Sequence, residues 1–274
     1  MTTRGMGTEG VTRAVEIIPR GPIDVFRHSW VLAKRSLVKT WRTPEGLIDV
    51  TLSPIMFTLL FTYIFGGAIA GSTSEYLVFL IPGIIGQNIA FASVGIGIQL
   101  NSDMAKGIFD RFRSLPISRI APLLGAALGD VVRYVLLIAI MVGTGYVLGY
   151  RIATDLVSFL AGCLLAIVFA LSLAWAPMLV GLIARSERAV QGIVFMTLFP
   201  LTFASSAFVD PSTMPGWLEA FSNANPLTHL IESLRALWGG MGDWQTPVAW
   251  TLAWCVGLVA VFAPLAIRAY NRRA

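Results

Sequence analysis

The sequence predicts an all-α integral membrane protein. Six transmembrane helices are preceded by an interfacial amphipathic helix, and a re-entrant helical segment precedes the last span. Three observations carry this prediction. First, 56% of the 274 residues are hydrophobic and only 13% are charged, with a mean hydropathy of +0.74; soluble domains carry about 25% charged residues. Second, the charges cluster between apolar runs long enough to cross a bilayer. Third, the basic residues favour alternate loops. Sparse charge with abundant Leu, Ile, Val and Phe excludes a disordered chain, and it leaves too little charge to solvate the surface of a soluble enzyme.

Residues 1–21 are expected to form a flexible cytoplasmic N-terminus. The first 46 residues contain no apolar stretch resembling a signal-peptide core, so the mature chain is expected to begin near Met1. Residues 22–46 read as an amphipathic interfacial helix. Phe26, Trp30, Ala33, Leu37 and Trp41 recur at helical spacing, while Arg27, Lys34, Arg35, Lys39 and Arg42 take other faces. Pro22 suits a first helical turn, and Pro44 with Gly46 supplies a stop. A basic helix with Trp on its apolar side belongs in the lipid interface.

The six-span domain covers residues 47–267, with a cytoplasmic tail at 268–274. A span needs about 20 apolar residues, and runs of that length lie near 50–69, 77–100, 131–150, 157–183, 190–209 and 248–267. Orientation follows from the basic residues. Eight precede the first span, and Lys106, Arg111, Arg113 and Arg119 follow the second. Arg185 and Arg188 follow the fourth, and Arg268, Arg272 and Arg273 end the chain. The other three loops hold Arg151 and Arg235 alone. Both termini are therefore expected to be cytoplasmic, and the net charge of +5 needs no nucleic-acid partner. Cys163 and Cys255 lie inside apolar runs and read as packing residues.

Two loops do more than connect. In 101–119, Met104, Ile108, Phe112 and Leu115 share one helical face, with Asp103, Lys106, Asp110 and Arg113 on another, before Pro116 ends the pattern. Such a helix either shields the membrane surface or docks a partner through its mixed charges. The extracellular stretch 210–246 is strongly apolar, yet Pro211, Pro215, Pro226, Gly239 and Gly240 divide it into pieces too short to cross. It reads as two short helices dipping into the outer leaflet, or as a lid on the outer surface. Glu232 and Arg235 are i,i+3 neighbours placed to pair.

Catalytic chemistry is sparse. There is no G-x-x-x-x-G-K-[ST] phosphate loop, no H-E-x-x-H and no histidine inside a span. Asp130 and Arg133 lie at the edge of the third span, where an i,i+3 structural pair outweighs a proton relay. The neutral polar residues Thr58, Thr62, Asn88, Thr202 and Ser205 are candidates for a path suited to an amphiphilic or hydrophobic substrate.

Taken together these features resemble the permease subunits of ABC-2 type transporters. The cytoplasmic run Lys106–Arg119, KGIFDRFRSLPISR, is similar to the daunorubicin-resistance branch. The resemblance rests on the basic helix, the six spans, Leu115-Pro116-x-x-Arg119 and the broken segment before the last span. One departure is that Lys106, rather than an acidic residue, stands directly before Gly107. The resemblance implies an exporter of drugs or other amphiphiles in the plasma membrane, with an endogenous lipid, glycolipid or polysaccharide as the alternative cargo; a non-transporting membrane scaffold is a further alternative. It implies that this chain is not an enzyme and binds no cofactor. A separate ATPase subunit would use ATP and Mg, and the permease would dimerise, with a second copy of itself as a homodimer or with a related permease. It also assigns coupling to that ATPase to Lys106, Phe109, Asp110, Arg111, Phe112, Arg113, Leu115, Pro116 and Arg119. Pro226, Glu232 and Arg235 would shape the outer exit.

Overall fold

Capping and chain-breaking residues, more than changes in apolar character, set where the helices begin and end. The computed structural model describes residues 44–108, 121–240 and 242–273. These residues form helices and one 3-10 turn, with no strand among them. Helix α1 (Pro44–Ala70) opens on a proline, whose missing N–H costs nothing in a first turn. It stops at Gly71, whose φ of 73° is open to glycine without strain. Helix α2 (Thr73–Ala92) starts where Ser72 Oγ accepts the Glu75 amide at 3.2 Å.

Helix α3 (Val94–Ala105) continues α2 past a break at Ser93, whose hydroxyl bonds back to the Ala90 carbonyl at 2.6 Å. Back-bonding of this kind bends a helix. Next come α4 (Ala121–Leu148), α5 (Leu156–Leu173) and α6 (Trp175–Ile183). The break between α5 and α6 falls at Ala174, where Pro177 lacks the N–H that the Leu173 carbonyl would accept. Helix α7 (Glu187–Phe203) is capped by Ser186 and ends in a run of hydroxyl residues. After the 3-10 turn Pro211–Thr213 come α8 (Gly216–Ala224), α9 (Pro226–Gly239) and α10 (Gln245–Arg273).

Among the described residues, four segments are long and apolar enough to cross a membrane: Thr73–Ala105, Pro122–Leu148, Leu156–Ile183 and Gln245–Arg272. The two other expected spans differ from these. Helix α1 has 27 residues, of which Leu52–Gly67 form its described apolar part. Helix α7 has 17 residues, or about 26 Å at 1.5 Å per residue. The fifth apolar run was expected to reach 209, but the helix stops at Phe203. There the Ser205 hydroxyl turns back to the Thr202 carbonyl at 2.6 Å and accepts the Ala207 amide at 3.2 Å, offering the backbone an alternative to the helix. Helix α4 begins ten residues before the apolar run expected at 131–150, which has Asp130 just before it and Arg133 within it. A charge ends a hydropathy run without ending a helix, so Asp130 and Arg133 lie well inside α4.

Hydrogen bonds gather the loops at two ends. At one end the Ala153 amide donates to Trp238 O at 2.9 Å, and the Tyr76 hydroxyl donates to Phe208 O at 3.2 Å. At the other, Asn101 Nδ2 donates to the carbonyls of Gly181 and Ala184, both at 2.9 Å. The main buried cluster surrounds α9, which packs against α2, α5 and α10. Two glycines admit it. A Cβ on Gly86 would meet Ile231 at 2.7 Å, and one on Gly162 would meet the Trp238 indole at 2.3 Å.

Candidate functional site

The break at Ser93 lets α2 and α3 turn around a cavity of about 440 Å³. Its walls come from α1, α2, α3, α4 and α7. Helix α2 contributes Gln87, Asn88 and Phe91, and α1 contributes Ser53 and Phe57. Helix α7 closes the opposite side with Gln191, Phe195, Phe199 and Phe203. A second hollow of about 680 Å³ continues along α7 past Arg188 and Met196. The lining thus combines carboxamides with aromatic rings, chemistry suited to an amphiphile rather than to a dehydrated ion.

The rings form a continuous ladder. Phe91 meets Phe195 at 5.4 Å between centroids, Phe195 meets Phe199 at 5.7 Å, and Phe199 meets Phe203 at 4.4 Å. Phe203 then meets Phe208 at 5.3 Å, and Phe208 stacks on Phe61 of α1 at 4.5 Å. The ladder therefore runs from the α2–α3 break to the unwound segment after α7. The i, i+4, i+8 spacing of Phe195, Phe199 and Phe203 was visible in the sequence, but an apolar stripe on a span looks the same when it only faces lipid.

Arg133 supplies the cavity with a charge. It pairs with Asp130 at 2.9 Å, and its Nη2 also donates to the Ala92 carbonyl at the end of α2. The i,i+3 pair expected from the sequence is formed, inside the helix rather than at its edge. The cavity wall and the pair together tie α4 to the break between α2 and α3.

At the far end of the ladder, Arg235 fastens the unwound segment. Nη2 donates to Phe79 O at 2.9 Å and to Ser206 O at 2.7 Å; Nε donates to Phe79 O at 3.1 Å; and Nη1 donates to Glu232 at 2.7 Å. Its side chain is 4% exposed. Asn225 caps α9 by accepting the Leu227 amide at 2.9 Å and donates Nδ2 to Leu201 O at 2.6 Å. Pro226 occupies the first turn of α9.

A model of the ABC-2 type transporter family matches residues 27–238. The chain belongs to the ABC-2 type transporter family. It is 42% identical over 247 residues to the daunorubicin resistance ABC transporter permease protein DrrB1 of Streptomyces coeruleorubidus, covering 90% of this chain and 85% of that one. It is 28% identical over 254 residues to the doxorubicin resistance ABC transporter permease protein DrrB of Mycobacterium tuberculosis, covering 88% of each. The putative transport permease ycf38 of Cyanophora paradoxa is 28% identical over 218 residues, covering 78% of this chain and 74% of that relative.

Within this ABC-2 chain the five path candidates take different places. Asn88 lines the cavity, with Nδ2 donating to its own helix at Ile84 O, 2.8 Å away. Thr58, Thr202 and Ser205 are buried and bond back to Pro54, Leu198 and Thr202 carbonyls. The Thr62 hydroxyl is buried without a partner. Of the coupling residues, Lys106 is exposed at the end of α3, beside Gly107 with φ of 65°. Phe109, Asp110, Arg111, Phe112, Arg113, Leu115, Pro116 and Arg119 lie outside the described residues. So do Phe26, Trp30, Leu37 and Trp41 of the expected interfacial helix.

Proposed function

We propose that this chain is the transmembrane permease subunit of an ABC exporter that moves aromatic, amphiphilic drugs out of the cell. The cavity and its ring ladder carry this reading. They join an amide-lined chamber at the α2–α3 break to the segment that Arg235 holds at the far end. Ring stacking is tolerant of substrate identity, which suits a drug exporter, and the named drug-resistance relatives support that cargo class.

In this reading α1 and α7 complete six crossings with the four longer segments, both termini face the cytoplasm of a plasma-membrane protein, and α8 with α9 forms the re-entrant element. A second copy of the chain covers the open side of the cavity, where Phe57, Phe199 and Met196 are exposed. A separate ATPase, using ATP and Mg, docks on residues 101–119. Asn101 gives that loop a rigid root by bonding both carbonyls at the end of α6. Closure of the ATPase pair would shift α3 and α6 together, and transport requires that the two pore states differ in their interaction with substrate.

The test is the double variant Arg111→Glu with Arg113→Glu, assayed in vesicles beside copurification of the ATPase. Membrane insertion is expected to be retained while substrate efflux and ATPase capture are lost. Efflux at the unaltered rate would refute the coupling role.

A further inference from the structure

We propose that Arg133 is a specificity-determining residue, whose guanidinium donates to a carbonyl oxygen on an aromatic amphiphile seated in the cavity. The inference rests on reading that cavity as the substrate path. Its evidence is the way Arg133 is held. Nη2 serves both Asp130 and the Ala92 carbonyl. Nε is fully buried, so the guanidinium can meet the chamber through its Nη atoms alone, and the side chain is 18% exposed. Gly95 of α3 lies against the guanidinium, since a Cβ there would stand 2.8 Å from Nη1 and 3.2 Å from Nη2.

A comparison inside the same protein separates this arrangement from a purely structural clamp. Arg235 spends Nε, Nη1 and Nη2 on Phe79 O, Ser206 O and Glu232. Arg133 commits Nη2 to Ala92 O and Asp130 and stays 18% exposed while lining a chamber of about 440 Å³. A guanidinium offers five donors in a rigid fork, and an unpaired donor in low dielectric gains most from a new acceptor.

The chemistry of the acceptor follows from the neighbours. Asp130 neutralises the charge from 2.9 Å away, so an anionic substrate would meet a carboxylate beside its donor. A neutral ketone, quinone or amide oxygen meets no such repulsion. Phe91 and Phe195, 5.4 Å apart at the cavity wall, supply faces for the ring that carries it. A site built to donate a hydrogen bond discriminates strongly against an analogue lacking the acceptor.

The experiment uses the permease with its ATPase subunit in liposomes and two probes bearing one aminoalkyl chain, one on anthraquinone and one on anthracene. The wild-type complex is expected to favour the anthraquinone by about tenfold or more in kcat/KM, the scale of one hydrogen bond to a charged group. Arg133→Gln and Arg133→Lys should bring that ratio near one, mainly by raising KM for the anthraquinone. Gly95→Ala keeps both charges and displaces the guanidinium, so it should lower the ratio partway and guards against a folding defect at Arg133. An unchanged ratio in Arg133→Lys and Gly95→Ala, or equal losses for both probes, would overturn the inference. Gln191→Trp, which fills the cavity, should block both probes. Transport of both through Gln191→Trp would overturn the cavity reading as well, whereas a block there with an unchanged Arg133 ratio would overturn the specificity role alone.

Discussion

The two ends of the aromatic ladder are built by opposite rules. Around α9, polar groups bond across long sequence separations: Arg235 to Phe79, Trp238 to Phe159, and Thr154 to Leu237. The helices close up on glycines that tolerate no Cβ. Along the cavity wall, Asn88 bonds back to its own helix, as the buried Thr58 and Thr202 do behind it, and Phe195 and Phe199 are about half exposed. One region ties Arg235, Trp238 and Thr154 to partners far away in the sequence. The other leaves its apolar surface uncommitted. A transporter needs both, a fixed frame at one place and an adaptable contact surface at another, and the sharpest tests ask whether stability and transport divide along the same line.

The largest effect is expected from Arg235→Met. It leaves the Phe79 and Ser206 carbonyls without their donor inside a packed cluster and frees the half-exposed Glu232. An orphaned buried group costs about 1–3 kcal/mol, so the loss should reach about 3–5 kcal/mol. Thermal unfolding in nanodiscs would measure it. A cost under about 1 kcal/mol, the size of an average interhelical bond in a membrane, would show that the outer frame is not fixed by Arg235.

Gly162→Ala comes next. Its Cβ would stand 2.3 Å from Trp238 Nε1, which donates to Phe159 O at 3.1 Å. Overpacking of this kind costs about 1–3 kcal/mol. Adding Trp238→Phe removes the clashing atom, and the double variant should be more stable than the sum of the two single changes predicts. Strict additivity in that cycle would place the strain elsewhere.

Phe199→Ala tests the opposite side. Its ring touches Phe195 and Phe203 at the cavity edge and is 46% exposed. Unfolding should shift by no more than about 1 kcal/mol. Aromatic contacts are worth about 0.5–1.5 kcal/mol, so kcat/KM for an aromatic substrate should fall about two- to tenfold. A stability loss as large as that of Arg235→Met would erase the contrast between the two regions.

How much of this could be read in advance depends on the range of each interaction. Charge spacing is local, so the Asp130–Arg133 and Glu232–Arg235 pairs were legible at i,i+3, and both are formed. Uncharged runs located the long helices for the same reason. The contacts that give Arg235 its function in the frame are not local: Phe79 lies 156 residues away, and no periodicity encodes such a partner. The early end of α7 was hidden because hydropathy sees an apolar run through Val209, whereas the Ser205 hydroxyl competes for backbone bonds at Thr202 and Ala207. The cavity was illegible because a half-exposed Phe on a span is equally consistent with lipid.

Acid provides the mildest probe of the same contrast. Asp155, Asp210 and Asp243 lie outside the long apolar segments. Bonding from Ser158 to Asp155, from the Ser212 amide to Asp210 and from the Gln245 amide to Asp243 holds each carboxyl below its usual range. A carboxylate with a depressed folded pKa stabilises above its unfolded value, about 3.9 for Asp, and that contribution disappears as pH falls through the folded pKa. Lowering the pH from about 5 to below 3 should therefore lower the protection of the Ser158, Ser212 and Gln245 amides, relative to their intrinsic exchange rates, before it affects the amides of Gln191 and Phe195 in α7. Asp155→Asn keeps an N-capping side chain but has no proton to gain, so the protection factor at Ser158 should lose its pH dependence while that at Ser212 retains it. Simultaneous loosening of α7 over the same pH range would mean that these caps and the cavity wall unfold as one unit, and the division between frame and contact surface would fail.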